Sequence, residues 1–337
     1  MNTRWTTDLM RETLQDGLAR LRGRPVRISE LHREPPPTTT SLWTERLQVR
    51  LDGGEELPVF FKDLNPDSLI AAARGIHVTS LEPGRRELRM YRRIFARQRF
   101  DTPKLYAWRW QPCRGLMGLF LEYAGSLKVR HSNNFTHWLA GARWAAWFHS
   151  ETSRLSPRQT RFLPRYDRAH YRRCAERIEQ RLAVGLSAAD KAVLEPALEV
   201  FVSRVDELLA LPQSLIHGEY FAKNIVLRDN SSIEGVAVVD WESAAVGPSY
   251  LDLVSLSAGR WNTERREALW HAYLDRYQAE NKLMLDWQRF RRDLGRVQLY
   301  LSLAWIGWWF ERGREDQVAR WLTELQKVVP DHSASLS

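Results

Sequence analysis

The stretch that most constrains this chain is Ile216-His217-Gly218-Glu219-Tyr220-Phe221-Ala222-Lys223-Asn224-Ile225, followed by Val238-Val239-Asp240-Trp241-Glu242. An acid stands two residues after a histidine, an asparagine follows that acid by five, and a second acid closes a β-type apolar run. Phosphoryl transfer needs such a set. A carboxylate must meet the hydroxyl that attacks a γ-phosphate, while an Asn amide oxygen and a further carboxylate hold Mg²⁺. Magnesium prefers a few protein oxygens plus the phosphates themselves, so two protein ligands suffice. The spacing predicts a loop that carries Glu219 and Asn224 and a following hairpin that returns Asp240 to them.

The preceding chain supplies complementary parts. Residues 5–22 read as an amphipathic helix, with Leu9, Leu14, Leu18 and Leu21 near helical spacing. Strands are expected over 26–31, 47–51 and 57–64, the last two joined by the turn Asp52-Gly53-Gly54. Between the first two lies Pro35-Pro36-Pro37-Thr38-Thr39-Thr40-Ser41. Loops that cover phosphates are usually glycine-rich, because N–H groups must approach closely. This one has no glycine, yet Thr39, Thr40 and Ser41 offer hydroxyls and N–H groups to a phosphate. A polar hairpin tip is the plainer reading, and composition leaves the two open.

Lys62 follows the apolar run Val59-Phe60-Phe61. A lysine in such a strand normally points to solvent. Turned inward, it pairs with a glutamate on the next helix and contacts the α- and β-phosphates of a nucleotide. Glu87 fits that partner: Pro83-Gly84 opens a helical run in which Glu87, Tyr91 and Ile94 share a face at i, i+4 and i+7. Residues 102–107 and 116–123 read as two further strands, the second ending near Gly125. A strand entering a linker exposes one carbonyl and one N–H, the pair an adenine edge requires. Glu122 and Ala124 are the expected hinge contacts.

From about residue 134 the pattern is helical. Helices are expected over 138–148, 158–181 and 190–209, and His149 reads as a packed core residue. Arg161, Arg165, Arg168, Arg172 and Arg173 form a rough stripe, read as a solvated face rather than an anion-binding wall. Trp305, Trp308, Trp309 and Phe310, with Trp270, Tyr273 and Tyr277, read as core packing; a stacking surface for a sugar or an apolar metabolite is the alternative.

At 337 residues the chain suits two lobes, and 44% hydrophobic content with 15 Trp is ample for a core. The formal charge of +9 favours anionic partners such as nucleotides, without the dense Lys/Arg block that nucleic acid would call for. Two cysteines suggest neither a disulfide framework nor a zinc site. The opening residues lack a signal-peptide pattern. The longest apolar stretch, 299–310, is interrupted by Ser302 and Gly307 and is too short to span a bilayer, so a cytoplasmic protein without a membrane partner is expected.

Four sets of residues together carry a family resemblance: His217-Gly218-Glu219 with Asn224, Asp240-Trp241-Glu242, Gly247-Pro248 with Asp252, and Lys62 with Glu87. The chain resembles the aminoglycoside phosphotransferase family, whose protein-kinase-like fold is shared with choline kinases. The resemblance implies an α+β, bilobal fold: a small β-rich nucleotide-binding lobe over 1–124, with a five-stranded antiparallel sheet and the Glu87 helix, and a larger helical lobe over 125–337 for catalysis and substrate. It implies ATP and Mg²⁺ as cofactors. Lys62 would grip the α- and β-phosphates and Glu87 would orient it. Glu122 and Ala124 would bind adenine through backbone groups, Asn224 and Asp240 would hold magnesium, and Glu219 would take the catalytic-base position. His217 would brace the loop, and Asp252 would accept hydrogen bonds from loop amides.

Two departures stand out. The family usually has Asp where this chain has Glu219; the extra methylene moves the carboxylate by about 1.3–1.5 Å, and misplacement on that scale can cost roughly a hundredfold in rate. The phosphate loop also lacks glycine. The expected activity is transfer of the γ-phosphate to a hydroxyl of a small molecule. A kinase acting on Ser or Thr of a peptide or protein, and a nucleotide-binding pseudokinase scaffold, are the alternatives. Aminoglycosides are polycations, and residues 125–337 carry 29 Lys+Arg against 26 Asp+Glu. That disfavours them as acceptors unless Glu311, Glu315 and Asp316 form a local acidic subsite.

Overall fold

A computed structural model describes residues 4–35, 41–70, 80–97, 100–183, 186–228, 234–259 and 261–328. Contacts divide the chain into two compact units, Met1–His131 with Ile225–Ser243, and Ser132–Asn224 with Ala244–Ser337.

The first unit opens with helix α1 (Thr7–Arg22). The Thr6 hydroxyl accepts from Leu9 N at its start, and Gly23 closes it at φ 66°, where glycine bears no Cβ penalty. Met10, Leu14 and Leu18 face inward at helical spacing, but Leu21 is left exposed. Five antiparallel strands follow: β1 (Ile28–Glu34), β2 (Thr44–Leu51), β3 (Glu56–Asp63), β4 (Leu105–Gln111) and β5 (Leu116–Glu122), in spatial order β1-β2-β3-β5-β4. At Gly17, α1 meets β4 so closely that an added Cβ would lie 2.4 Å from Ala107 Cβ. Trp5, Phe61 and Phe120 meet at edge-on or tilted angles in the core beneath the sheet. Helix α2 (Glu82–Met90) runs on into a π-helical turn, Tyr91–Phe95. The hairpin of Ile225–Leu227 with Val236–Val238 belongs to this unit as well.

The second unit is mainly helical. It contains α3 (Thr136–Thr152), α4 (Pro157–Thr160), α5 (Arg168–Ala183), α6 (Ala188–Ser203), α7 (Val205–Leu209), α8 (Tyr250–Ser257), α9 (Thr263–Asn281), α10 (Trp287–Phe310) and α11 (Glu315–Gln326). Its one described strand pair joins Gln213–Ile216 to Ala245–Pro248. The single helix expected over 158–181 is two helices. Around Pro164 the chain leaves helical geometry: Pro164 O accepts from Val246 N, and Tyr166 N donates to Val246 O. A proline has no N–H for an interior helical bond, so the break falls where another strand offers partners. Every residue of the arginine stripe is exposed. Trp270, Tyr273 and Tyr277 are buried, whereas Trp305, Trp308, Trp309 and Phe310 are only half-buried.

Candidate active site

In the first unit the site centres on Lys62. Alternation along β3 sends Phe61 into the aromatic core, so Lys62 points from the opposite face of the sheet. Its Nζ lies 2.7 Å from Glu87 Oε2 and 2.5 Å from Asp240 Oδ1. Glu87 sits on the buried face of α2 with Tyr91 and Ile94, the three positions whose spacing marked that face. Asp240 is delivered by the turn after the hairpin. Trp241, fully buried, anchors that turn against Phe95, with ring centroids 4.8 Å apart, and its indole N–H donates to Val238 O. The Arg86 guanidinium donates to Glu242 O at 2.8 Å and ties α2 to the same turn.

Burial by itself would lower the pKa of Lys62, but Asp240 and then Glu87 and Glu242 more than reverse that, leaving it well above the ordinary lysine value. Glu87 is shifted upward, because burial and the nearby Asp240 charge outweigh what Lys62 recovers. Asp240 adopts φ +72°, a left-handed conformation that non-glycine residues hold only where the surroundings impose it, and one that clusters at functional sites. Glu87, Asp240 and Glu242 bring carboxylate oxygens within 4.8 Å of one another. Hard oxygen donors of this kind suit a small divalent cation.

The expected hinge also lies in this unit. Glu122 N donates to Lys104 O at 2.8 Å, and the Glu122 carboxylate pairs with Arg228 at 2.6 Å. Ala124 follows outside the strand, and its N–H has no protein partner among the described residues. Gly125 takes φ 127°, and an added Cβ would lie 2.9 Å from Leu227 O. Of the expected phosphate loop, Thr39 and Thr40 lie outside the described residues. Ser41 is described, and its carbonyl accepts from Ile70 N.

In the second unit the loop 217–224 is held from beneath by Asp252 on α8. Asp252 Oδ2 accepts from His217 N at 2.7 Å and Oδ1 from Gly218 N at 3.0 Å. Gly218, at φ 83°, permits the turn. His217 Nδ1 accepts from Glu219 N at 3.2 Å, so the histidine braces the loop as the resemblance implies. Asn224 Nδ2 donates to Glu219 O at 3.0 Å. That bond fixes the amide so that its oxygen, the atom a metal takes, is not the one spent on the loop. The Glu219 carboxylate is partly exposed, and Lys223 Nζ lies 3.4 Å from its Oε2.

Two features of the site escape a reading of the sequence. One is the direct bond from Lys62 to Asp240, across 178 residues of chain. The other is His149, read as plain core. It is fully buried, as that reading has it, and also places Nε2 3.1 Å from Asp252 Oδ2 and Nδ1 2.9 Å from the Tyr273 hydroxyl. A histidine at the end of an apolar helix carried no sign of its distant partners.

The sequence model of the Phosphotransferase enzyme family matches residues 48–292. A search of curated protein sequences gives no match. Among solved structures the chain is similar to aminoglycoside 2'-phosphotransferase-IIIa in complex with GDP, at 11% identity and TM-score 0.62, covering 94% of this chain and 97% of that one. It is also similar to the choline kinase LicA from Streptococcus pneumoniae, at 12% identity and TM-score 0.57, covering 96% of this chain and 99% of the other. A spectinomycin phosphotransferase in complex with ADP and spectinomycin matches at 12% identity and TM-score 0.51, covering 92% and 94%. The fold is therefore the protein-kinase-like one, a small β-rich lobe and a larger helical lobe. The chain belongs to the phosphotransferase enzyme family. No described helix is long and apolar enough to cross a membrane.

Proposed function

We propose that this chain is an ATP- and Mg²⁺-dependent phosphotransferase that moves the γ-phosphate to a hydroxyl of a small molecule, acting in the cytoplasm. The observation that carries the reading is Lys62 held between the buried Glu87 and Asp240 at 2.7 and 2.5 Å. Nothing in sheet packing calls for a buried lysine shared by two carboxylates from distant segments, and a buried ion pair is a poor source of stability. A cation so held is suited to meet the phosphates of a nucleotide.

In this reading residues 1–124 bind the nucleotide, and 125–337 carry catalysis and the acceptor. Lys62 contacts the α- and β-phosphates, with Glu87 setting its position. Thr39, Thr40 and Ser41 cover the phosphates, and Glu122 and Ala124 present a backbone carbonyl and N–H to the base. Asn224 and Asp240 hold magnesium, which when bound offsets the negative charge on the transferring phosphoryl group. Glu219 accepts a hydrogen bond from the acceptor hydroxyl and takes its proton as the new O–P bond forms and the bond to the nucleoside diphosphate breaks. The two loop amides bonded to Asp252 keep Glu219 in register for that role.

One observation favours a second reading. The Lys223 ammonium stands 3.4 Å from the Glu219 carboxylate, a contact that a nucleotide-binding scaffold without turnover would tolerate. Transfer of labelled γ-phosphate from ATP and from GTP to a panel of alcohols separates the two. The enzyme reading expects labelled product that vanishes with Asp240→Ala. Tight nucleotide binding with no product from any alcohol, and none from a Ser/Thr peptide library, would leave the scaffold.

A further inference from the structure

Resting on that reading, we infer that the acceptor is a ring-bearing alcohol without positive charge, received on an aromatic wall that starts at the Glu219 loop. Phe221 follows Glu219 by two residues and donates its backbone N–H to Glu219 O at 2.7 Å. The Phe221 ring lies 5.7 Å from Trp305 on α10 and 6.5 Å from Trp321 on α11. Trp305 stacks with Trp309 at 6.0 Å and with Trp321 at 5.9 Å. Trp321 is buried, but Phe221, Trp305 and Trp309 are half-buried, so the ladder runs from core to surface beside the loop. Such a row of π-faces holds flat or apolar rings by stacking.

The same faces would attract a cation if they were free. Two of them, Phe221 and Trp309, are already supplied with a cation from the chain itself, and so is Trp308 beside them. The Arg312 guanidinium lies 3.2 Å over the Trp308 ring, Arg314 lies 5.8 Å over Trp309, and Lys223 lies 5.8 Å over Phe221. The acids that follow the tryptophan-rich helix are likewise engaged. Glu311 pairs with Arg177 at 2.6 Å and with Arg312 at 3.3 Å, and Asp316 accepts from Arg314 at 3.0 and 3.1 Å and from the Gln317 amide at 2.9 Å. Arg314 first, and the Gln317 amide after it, hold the Asp316 carboxyl below its usual range. An ammonium-bearing acceptor would meet Lys223, Arg312 and Arg314, each with its own acid already engaged, and among the described residues of this cluster only the exposed Glu315 is left to receive it.

The test uses three alcohols of one shape: benzyl alcohol, para-(hydroxymethyl)benzoate and para-(hydroxymethyl)benzylammonium. Their binding to the full-length protein is measured by ligand-observed NMR without nucleotide, so the outcome does not depend on phosphoryl transfer. The neutral and anionic members are expected to bind and the ammonium to bind about tenfold more weakly or not at all, a difference of about 1.4 kcal/mol. Trp309→Leu should abolish binding of the benzyl alcohol. Arg314→Gln, a change at a partly exposed side chain, should leave that binding intact and narrow the discrimination against the ammonium. Ammonium binding equal to or tighter than the others overturns the inference. So does failure of all three to bind, or an unchanged preference in Arg314→Gln. If this selection holds while no alcohol is phosphorylated, the wall stands and the transferase reading fails; transfer to cationic alcohols alone gives the reverse.

Discussion

The Lys62 centre and the Glu219 loop solve opposite problems. Around Lys62 two charges leave water together, Glu87 at 1% and Lys62 at 10% side-chain exposure, and Asp240 reaches them from a half-buried position. Around Glu219 the backbone is pinned through buried groups, yet the carboxylate stays partly in solvent beside the exposed Lys223. Charges removed from water act strongly and tolerate little change, whereas screened charges act weakly and permit it. The first arrangement suits a constant partner, a nucleotide and its metal. The second would suit the base of the proposed function, whose carboxylate has to meet an acceptor. Glu219, at the position where the resemblance implies Asp, falls in the second.

The largest expected effect breaks the permissive side. Glu219→Gln keeps shape and removes the charge; turnover should fall by about 10² to 10⁴ with nucleotide affinity nearly unchanged, the usual share of general-base catalysis. Steady-state rates and nucleotide affinity measured side by side decide it, and unchanged turnover would refute the assignment of Glu219. Glu219→Asp sharpens the test, since a loop adapted to the longer side chain should work less well with the shorter.

Next comes the desolvated side. Lys62→Ala leaves Glu87 buried without its cation and should cost about 3–5 kcal/mol, the usual penalty for removing one partner of a buried pair. Chemical denaturation reads this directly, and a loss under about 1 kcal/mol would mean that the charges are better hydrated than their burial implies.

A smaller effect tests how the loop is supported. His149→Phe removes the imidazole between Asp252 and Tyr273 and strands the Tyr273 hydroxyl, at about 1–3 kcal/mol. If His149 also positions the loop, kcat should fall while KM for nucleotide holds. A stability loss without any kcat change would reduce it to packing.

The smallest effect lies away from both regions. His170, stacked on Tyr166 and bonded to the Tyr300 hydroxyl, titrates at about 4, because burial and then Arg173 disfavour its charged form. Its ordinary value is 6.5. As pH falls through that window the unfolded chain takes a proton that the folded chain refuses, so stability declines; above the window His170 contributes no slope. Melting temperatures followed from neutral to acid pH should fall less steeply in His170→Phe than in the wild type. Parallel curves would remove His170 from the account.

Much of the fold was legible because local signals agreed with the global structure. The Asp52-Gly53-Gly54 turn, the alternating strands around it and the shared face of Glu87, Tyr91 and Ile94 each carry their own periodicity. At Pro164 the arginine stripe runs across the break at helical spacing and masks the proline's signal. The loop residues 217–224 were legible as a spacing, since chemistry fixes the order of acid and amide along one short segment. What joins distant segments was not. The Lys62–Asp240 bond and the His149–Asp252–Tyr273 chain depend on tertiary placement that leaves no periodic trace.

The central claim, that Lys62 and Asp240 form a nucleotide-phosphate and metal centre, is tested most directly by calorimetric titration of ATP with Mg²⁺ into the wild type, Lys62→Arg and Asp240→Asn. These changes preserve much of the shape at each position. The account predicts saturable binding by the wild type that weakens at least about tenfold, or about 1.4 kcal/mol, in each variant. It further predicts that removing Mg²⁺ weakens the wild type and leaves Asp240→Asn almost unaffected. Wild-type protein that takes up neither ATP nor GTP at millimolar concentration, or variants that bind as tightly as the wild type, would contradict it.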